Sequence, residues 1–412
     1  MAVSSVISRH TEESSFLWLL RSYAVHQPHY SLKDLAKLDL RVEAHLDGLR
    51  IAGDAGWEAC RAELAWEAEG EFFAAGSVAF ESGNADRIGV VTDALLAAPQ
   101  AVRGLASSLG WLGLPRAQPY IDRLLASNEP VLRLAGLSAA AILRRHPGPA
   151  LKDAITSDDP ALRARGLQAV GELGFGALAG AVSDQLADAD PSCRFAAAWS
   201  GALLNVGAAV PALRAIAQAP GPNAEAAAAM AVRRMPLPEA NAWRTTLARQ
   251  PDNVRAAIAA AGALGDPAAI DWLLSLMNDE KFSRPAGEAF TMIAGADLAY
   301  LDLEMDAPEG GDAGPTEDAA DENVSLDPDD HLPWPHQGLV TQWWRANHSR
   351  FAPGLRFLTG QPTDIAGLTA VLREGRQRQR AAAAMERMMQ RPEGGLFEVR
   401  ARGDWQRSLL GR

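Results

Sequence analysis

The fold is decided by a repeat, whose two clearest copies fill residues 130–174 with the sequence PVLRLAGLSAAAILRRHPGPALKDAITSDDPALRARGLQAVGELG. Each copy begins at a proline and places an arginine three residues later, at Arg133 and Arg163, followed by small and apolar residues at helical spacing. One further copy carries Glu225 in place of the arginine. The remaining arginines of this register are Arg103, Arg194, Arg255 and Arg284. A near-constant step of 29 to 31 residues between neighbouring copies indicates tandem structural repeats.

Every copy follows the same plan. A turn with proline and acidic residues leads into a helix rich in Ala, Leu and Gly, which ends at a glycine suited to a left-handed C-cap, such as Gly113, Gly174 or Gly265. A short second helix follows, for example over 270–278. Two-helix units of this size cannot bury their apolar faces alone and must stack on their neighbours. The sequence therefore predicts an all-α fold, an α-solenoid of HEAT-like two-helix repeats over residues 99–300.

The repeated arginine has two interpretations. An arginine in the first helical turn opposes the helix dipole unless an acid lies close to it. The turns supply acids that can cap the helices and pair with the arginines, namely Asp158, Asp159, Asp188, Asp190 and Asp279. We therefore predict a structural Asp–Arg ladder through the six arginines of the register. The alternative is a groove in which these arginines share a ligand.

Both ends of the chain lack the repeat and predict non-repeat helical caps, because a solenoid needs terminal units that cover its exposed faces. Residues 1–98 form the N-terminal helical cap, in which Pro28 separates the first two helices and Ser31 caps the second. Residues 333–412 form an Arg- and Trp-rich C-terminal helical region.

Histidines in the N-terminal cap raise the question of a metal site. Four of the eight histidines lie there: His10, His26, His29 and His45. Together with Asp39, Glu43 and Asp47 they offer ligand types that transition metals use. The spacing contains neither HxxxH nor HExxH, so we predict surface or packing histidines, no metal and no cofactor.

Charge is separated within the C-terminal third. Residues 301–332 predict an acidic loop or linker, with twelve acids from Asp302 to Asp330 and no Lys or Arg. A calcium loop is the alternative, although the D-x-[DN]-x-[DN]-G pattern is missing. Residues 333–412 carry thirteen Arg and six acids, a net charge of +7. The net charge of −12 therefore belongs to the loop, and the remaining residues sum to zero.

The C-terminal region holds the candidate partner-binding residues. Its tryptophans Trp334, Trp343 and Trp344 would form the core of the cap or, if exposed, a hot spot for a partner. Arg376 and Arg380 share a face of a helix predicted over 363–390, and such arginines suit phosphates and bases. We favour the other interpretation, in which this basic region docks on the acidic loop or on the repeat edge of its own chain.

Composition indicates the compartment. Cys60 and Cys193 are the two cysteines, and their separation fits neither a metal pattern nor a disulfide framework. The N-terminus lacks the apolar stretch of a secretory signal. The uncharged stretch at 195–213 is explained as a buried repeat helix with its connection rather than a membrane span. We expect a cytoplasmic protein that does not bind membranes.

The middle of the chain resembles bacterial HEAT-like repeats of the kind first described in phycobilisome bilin lyases. The ends carry a more specific resemblance, in HTEESSFLWLLRSYAV at 10–25, LPWPHQGLVTQWW at 332–344 and REGRQRQRAAAAMERM at 373–388. They resemble an uncharacterised bacterial family of HEAT-repeat proteins that are often encoded beside type VI secretion spike genes. The resemblance implies a context in type VI secretion and brings no catalytic residues with it.

No arrangement of residues points to catalysis. The sequence contains no legible Ser-His-Asp set, Gly-rich phosphate loop or metal cluster, and it lacks the His-Glu pairs of HEAT-repeat di-iron hydroxylases. We expect a non-enzymatic interaction scaffold, an adaptor or chaperone whose partner is a protein such as a type VI secretion effector or spike component, and not a nucleic acid. The alternatives are a HEAT-like enzyme, such as a DNA glycosylase or lyase, and an immunity protein that neutralises an effector.

The acidic segment gives a first prediction. We expect limited proteolysis of the native protein to cut first within residues 302–330, because chain rich in like charges, Gly and Pro does not pack. Mass spectrometry of the first fragments locates the cut, and an initial cut within a repeat would contradict the assignment.

Overall fold

The computed structural model describes residues 4–308 and 327–411. This part of the chain contains 22 α-helices, seven single-turn 3₁₀-helices and four strands of two residues each. The predicted all-α class is therefore confirmed. None of the helices in the described part has the length and hydrophobicity that crossing a membrane requires.

The chain divides into two compact units. Unit 1 comprises Met1–Ala208 and Met388–Arg412, and unit 2 comprises Ala209–Arg387. One boundary falls inside the helix Gln377–Gln390. The division follows internal contacts and not the repeat period, so the four segments defined from the sequence stay predictions.

Unit 1 begins with the helices α1 (Ser4–Ala24), α2 (Leu32–Ala52), α3 (Asp54–Glu63), α4 (Glu69–Ser82) and α5 (Ala85–Ala97). Seven further helices of unit 1 follow, namely α6 (Val102–Leu112), α7 (Leu114–Leu125), α8 (Pro130–Ile142), α9 (Pro149–Ile155), α10 (Pro160–Leu173), α11 (Ala179–Asp184) and α12 (Pro191–Leu203). Alternate helices pack in succession, α6 on α8, α8 on α10 and α10 on α12, while α7 packs on α8 and α9 on α10. Small residues permit this approach: a Cβ added to Gly166 would lie 3.0 Å from the Cβ of Ala154.

Local sequence signals fix where these helices start. Ser31 and Asp34 form a capping box at α2, in which each side chain accepts a hydrogen bond from the other's backbone N–H. α8, α10 and α12 each begin at the predicted proline, whose missing N–H costs nothing in the first turn. The side chains of Asp159 and Asp190 cap α10 and α12.

Unit 2 continues with α13 (Ala209–Gln218), α14 (Ala224–Arg234), α15 (Leu237–Ala248), α16 (Val254–Leu264), α17 (Ile270–Leu276) and α18 (Ser283–Ala294). The strands β1 (Glu304–Met305) and β2 (Trp334–Pro335) pair antiparallel, as do β3 (Phe357–Leu358) and β4 (Gln361–Pro362). Three more helices are α19 (Gln337–Asn347), α20 (Ile365–Glu374) and α21 (Gln377–Gln390), and α22 (Gly403–Leu409) belongs to unit 1. Within unit 2, α14 packs on α16 and α16 on α18.

Two details of the sequence prediction need correction. The helix predicted over 363–390 is two helices, because the backbone is extended at Gly375 (φ −70°, ψ 167°) and the chain turns there. A Cβ on Gly375 would lie 2.7 Å from the carbonyl oxygen of Val371. Gly174 and Gly265 are left-handed C-caps as predicted, whereas Gly113 has φ 82° and ψ 155° because α7 begins at the next residue.

In unit 2, the segment before α20 covers the C-terminal ends of two repeat helices. At the end of α16, the N–H of Phe357 donates to the carbonyl of Gly265 at 2.8 Å, and Nε of Arg356 donates to that of Leu264 at 2.8 Å. The N–H of Thr359 donates to a carbonyl in the last turn of α18 at 2.6 Å. The final carbonyls of a helix have no partner within it, so these contacts satisfy groups that the repeat leaves open.

Gly265 allows the backbone of Phe357 to approach the end of α16 closely. The second prediction concerns the substitution of this glycine. Its φ of +71° disfavours any side chain, and an added Cβ would lie 2.1 Å from the carbonyl oxygen of Phe357. We expect Gly265→Ala to lower the free energy of unfolding by roughly 1–3 kcal/mol or more in a denaturant titration. The control is Gly89→Ala within α5, where the Cβ meets nothing within 4 Å and the substitution is expected to stabilise. Equal effects of the two substitutions would contradict the interpretation.

Candidate interaction surfaces

Two ladder arginines of unit 1 bind acids and carbonyls of the turns beside them. Nε of Arg163 donates to Asp188 at 2.7 Å, although that aspartate precedes the next repeat helix. This hydrogen bond lowers the pKa of Asp188. Arg194 donates to the backbone carbonyls of Asp188 and Ala189, at 2.6 and 2.8 Å. Asp188 thus connects two neighbouring repeats.

The first two ladder arginines differ from these. Arg103 pairs with Glu69 at 2.8 Å and stacks over Trp18 at 5.5 Å. Nε of Arg133 is buried without a hydrogen-bond partner among the described residues. Arg133 and Asp153 help to line a cavity of about 30 Å³, which has room for about one water molecule and is too small for an organic ligand.

In unit 2 the last two ladder arginines hold the end of the acidic segment. Arg255 forms two hydrogen bonds with the carboxylate of Asp329, at 2.8 and 2.7 Å, and a third with Glu225 at 2.8 Å. Arg284 pairs with Asp327 at 2.6 Å. Glu225 itself occupies the ladder register, so the repeat without an arginine supplies a carboxylate to the arginine of the next one.

The structure describes only the two ends of the predicted acidic loop. The loop predicted at 301–332 includes residues 309–326, which lie outside the described residues. Asp327 and Asp329, which follow them, are bound to the ladder as above. Asp279, predicted to pair with a ladder arginine, instead accepts the backbone N–H of Lys281 through its side chain at 3.0 Å.

The three C-terminal tryptophans take part in internal contacts of unit 2. Trp343 and Trp344 meet Phe290 edge to face, with ring centroids 5.8 and 6.4 Å apart, and pack against the core of this unit. Trp334 lies beneath the guanidinium of Arg284, 4.7 Å from its ring centroid. Each is half-buried, so these side chains contribute to packing more than to an open surface.

The structure separates the two candidate partner-binding arginines. Arg380 is fully buried, with Nε donating to the carbonyl of Leu372 at 2.8 Å, and burial lowers its pKa to about 10. It is therefore not available on the surface, which corrects its assignment to a partner-binding face. Arg376 lies before α21 begins and pairs with Asp297 at 3.1 Å. The break at Gly375 is why the two do not share a helical face.

Unit 2 contains a second arginine register that the sequence analysis missed. Arg214 stacks on Trp243 at 5.3 Å, and Arg244 stacks on Trp272 at 4.7 Å. The two arginines are 30 residues apart and the two tryptophans 29. Both spacings match the repeat period, so this register could have been recognised in the sequence. Each stack joins the second helix of one repeat to the second helix of the next repeat. The first joins α13 to α15, and the second joins α15 to α17.

The sequence analysis also missed an ionic cluster in unit 1, whose two carboxylates, those of Glu172 and Glu398, are buried. Glu172 at the end of α10 pairs with Arg165 at 2.8 Å and with Arg400 at 3.5 Å, and Arg400 also pairs with Glu398 at 2.8 Å. Arg144 pairs with Glu398 at 3.3 Å. Burial raises the pKa of Glu398, but Arg400 and Arg144 outweigh it and lower that pKa to about 2. The cluster combines residues more than 200 positions apart, which no local pattern signals.

The same C-terminal chain reaches the N-terminal helices of unit 1. Arg402 pairs with Glu43 at 3.2 Å and stacks on Trp111 at 4.9 Å. The carboxylate of Asp39 accepts the N–H of Gly403 at 2.6 Å and Nε of Arg21 at 2.5 Å. Asp39 and Glu43, weighed above as metal ligands, therefore bind the C-terminal chain.

The described histidines and cysteines of unit 1 do not come together as a set of metal ligands. Nδ1 of His10 lies 3.2 Å from Nδ1 of His45, and burial followed by the charge of His10 lowers the pKa of His45. Among residues 4–308 and 327–411, no group of three or more His, Cys, Asp or Glu is placed to hold a metal ion. Cys60 and Cys193 are buried thiols, and burial raises the pKa of Cys60 to about 12.

No protein-family model matches the chain, and a search of curated proteins found no match.

The cluster around Glu398 gives the third prediction. Because its folded pKa lies below that of an unfolded glutamate, its contribution to stability is present at neutral pH and lost as the pH falls from about 4.5 towards 2. We expect Glu398→Gln to lower the free energy of unfolding at pH 7 by on the order of 3 kcal/mol, and the difference from the unaltered protein to vanish near pH 2. Exposed Glu393→Gln is the control, with little effect at either pH. A difference that persists unchanged at pH 2 would contradict the role of this charge.

Proposed function

We propose that the chain is an α-solenoid of HEAT-like two-helix repeats that acts as a non-enzymatic scaffold for protein–protein interaction. Successive packing of alternate helices supports the architecture, from α6 to α12 in unit 1 and from α14 to α18 in unit 2. The two registers of arginine contacts, each recurring with the repeat, support it too. Stacked repeats of this kind build extended surfaces suited to other proteins.

One observation carries the functional part of the proposal, an exposed apolar patch in unit 2. We use the name hairpin patch for four exposed apolar residues on the stretches that the pairing of β1 with β2 brings together. They are Tyr300, Leu301, Met305 and Leu339, with exposed fractions of 83%, 39%, 46% and 37%. The pairing of β1 with β2 and the hydrogen bond from the N–H of His336 to the carbonyl of Leu303 hold the two parts of the patch together. Exposed apolar side chains in such a group are typical of interaction sites.

Acidic side chains alternate with the apolar residues at the β1 side of the hairpin patch and indicate the chemistry of its partner. Asp302, Glu304 and Asp306 are exposed and alternate with the apolar residues. A partner with an apolar centre and a basic rim would complement this surface, since complementary rim charges steer association. The resemblance to proteins encoded beside type VI secretion spike genes makes effector and spike proteins in the cytosol the first partners to test, with an adaptor or chaperone role.

The fourth prediction tests the hairpin patch. With the purified protein as bait for effector, spike and sheath proteins from neighbouring genes, we expect Tyr300→Ser combined with Met305→Ser to abolish capture. Thermal unfolding of this variant should be unchanged, because both side chains are exposed. The control is Leu355→Ser, which removes an exposed apolar side chain elsewhere in unit 2 and should leave capture intact. Absence of capture by the unaltered protein would refute the proposal.

A further inference from the structure

A buried arginine of unit 2 has no carboxylate partner. Arg244 lies on α15, and only 8% of the residue is exposed. Arg233, another buried arginine of this unit, pairs with Glu386 at 3.3 Å. In the part of the chain that the structure describes, Arg244 forms no ion pair, and its guanidinium makes a single hydrogen bond, from Nη2 to Oγ1 of Thr245 at 3.5 Å. A buried charge without a partner is costly, so this position calls for a negative group from elsewhere.

The groups around Arg244 do not fill that role. Its guanidinium stacks on the ring of Trp272 in α17, 4.7 Å from the centroid. Asp266 attracts it, but the two oxygens of that carboxylate accept hydrogen bonds from the N–H of Ala268 and from Nδ2 of Asn241. Burial outweighs the attraction of Asp266 and lowers the pKa of Arg244. The positive charge is therefore only partly compensated.

The preceding contact of the same register shows what is missing. Arg214 stacks on Trp243 at 5.3 Å and also lies 3.6 Å from the carboxylate of Glu239, four residues before that tryptophan. The position four residues before Trp272 is occupied by Ala268. The repeat thus gives its first arginine both an aromatic ring and a carboxylate, and gives the next arginine the ring alone.

One nitrogen of the Arg244 guanidinium is available from outside. Nε is enclosed without a hydrogen bond and Nη2 meets Thr245, whereas Nη1 is neither enclosed nor hydrogen-bonded among the described residues. Ala268, at the position of the missing carboxylate, is exposed. Its methyl group does not take the place that a longer acidic side chain would, so a carboxylate of another molecule can approach there.

The charges around Arg244 favour one carboxylate over a phosphate. A single guanidinium is balanced by one negative charge, whereas a dianionic phosphate would bring a second charge near Asp266, which is unfavourable. A carboxylate also matches the planar donor fork of an arginine.

We propose that Arg244 is a carboxylate-binding site of unit 2, which takes an aspartate or glutamate side chain of a partner protein in the place that Glu239 fills at Arg214. This inference rests on the proposed scaffold function and assigns an acidic partner group to a site other than the hairpin patch.

Acetate is the first probe of this site, because it presents the same carboxylate with little else. The side-chain Nε–H signal of Arg244 is followed by ¹⁵N NMR of the full chain and assigned by its loss in Arg244→Lys. At constant ionic strength, kept with chloride, we expect acetate to shift this signal in a saturable way, because a bound carboxylate forms charge-assisted hydrogen bonds with the guanidinium. A shift that is absent or stays linear in acetate would overturn the proposal.

Peptides distinguish a protein side chain from a free ion. One blocked pentapeptide carries a central glutamate between alanines, and its control carries glutamine there. We expect the glutamate peptide to produce a saturable shift as acetate does and the glutamine peptide to leave the signal in place, since only the first brings a negative charge. Acetate binding without a response to the glutamate peptide would mean an adventitious ion only and would overturn the partner assignment. Stronger binding of inorganic phosphate than of acetate would overturn the carboxylate class.

Ala268→Glu tests the repeat register, because it places a carboxylate at the position that Glu239 has beside Arg214. We expect this variant to unfold at a higher denaturant concentration than the unaltered protein and to lose the saturable acetate shift, since its own carboxylate fills the site. Ala268→Gln is the matched control without the charge and should keep the acetate shift. An acetate response of Ala268→Glu equal to that of the unaltered protein would overturn the site.

The hairpin patch and the Arg244 site stand or fail separately. The variant that combines Tyr300→Ser with Met305→Ser should keep the acetate shift, because both changes lie at the hairpin patch. No capture of a partner by the unaltered protein, combined with a saturable response to the glutamate peptide, would refute the scaffold proposal and leave the carboxylate site standing. Capture of a partner without any response of Arg244 would do the reverse.

Discussion

The C-terminal ends of the repeat helices impose the constraint on which the rest of the structure depends. The last carbonyls of each helix have no partners within the helix and carry partial negative charge, so they need hydrogen-bond donors from elsewhere. A chain of many short helices has many such carbonyls. In unit 2 the segment 356–360 supplies donors to α16 and α18. In unit 1 the N–H of Leu396 does so for α10. Left-handed glycines at these ends let the covering chain come close.

This constraint accounts for the arginine-rich composition of the C-terminal region. Arginine offers several donors in a fixed plane and stays charged when partly buried, so it suits both carbonyls and carboxylates. Arg400 binds Glu172 and Glu398 in unit 1, while Arg356 binds Glu386 in unit 2. The carboxylates of these pairs are buried, and buried charges are costly unless they are paired, as they are here within the chain. Part of the basic charge that suggests an external anion is therefore used inside the protein, as the pairs of Arg376 with Asp297 and of Arg402 with Glu43 also show.

The ladder shows how one repeated position acquires different partners. Arg163 binds an acid of the adjacent turn, whereas Arg255 binds Asp329, which lies 74 residues further along the chain. Arg163 finds its partner in the turn before the next repeat helix, whereas Arg255 and Arg284 bind a segment that returns to them from further along the chain. The exposed hairpin patch lies in this returning part of unit 2, where the chain no longer obeys the repeat.

The sequence by itself determined what depends on neighbours along the chain: the all-α class, the repeat period, the prolines that start α8, α10 and α12, and the N-cap at Ser31. These features follow from local backbone preferences and from hydrophobic spacing, which a sequence displays directly. Only the tertiary structure decided that Arg380 is buried, that Glu398 and Arg400 join Glu172, and that Asp39 binds the backbone of Gly403. Contacts between residues hundreds of positions apart leave no periodic trace, because they depend on where the chain returns and not on what surrounds each residue in sequence.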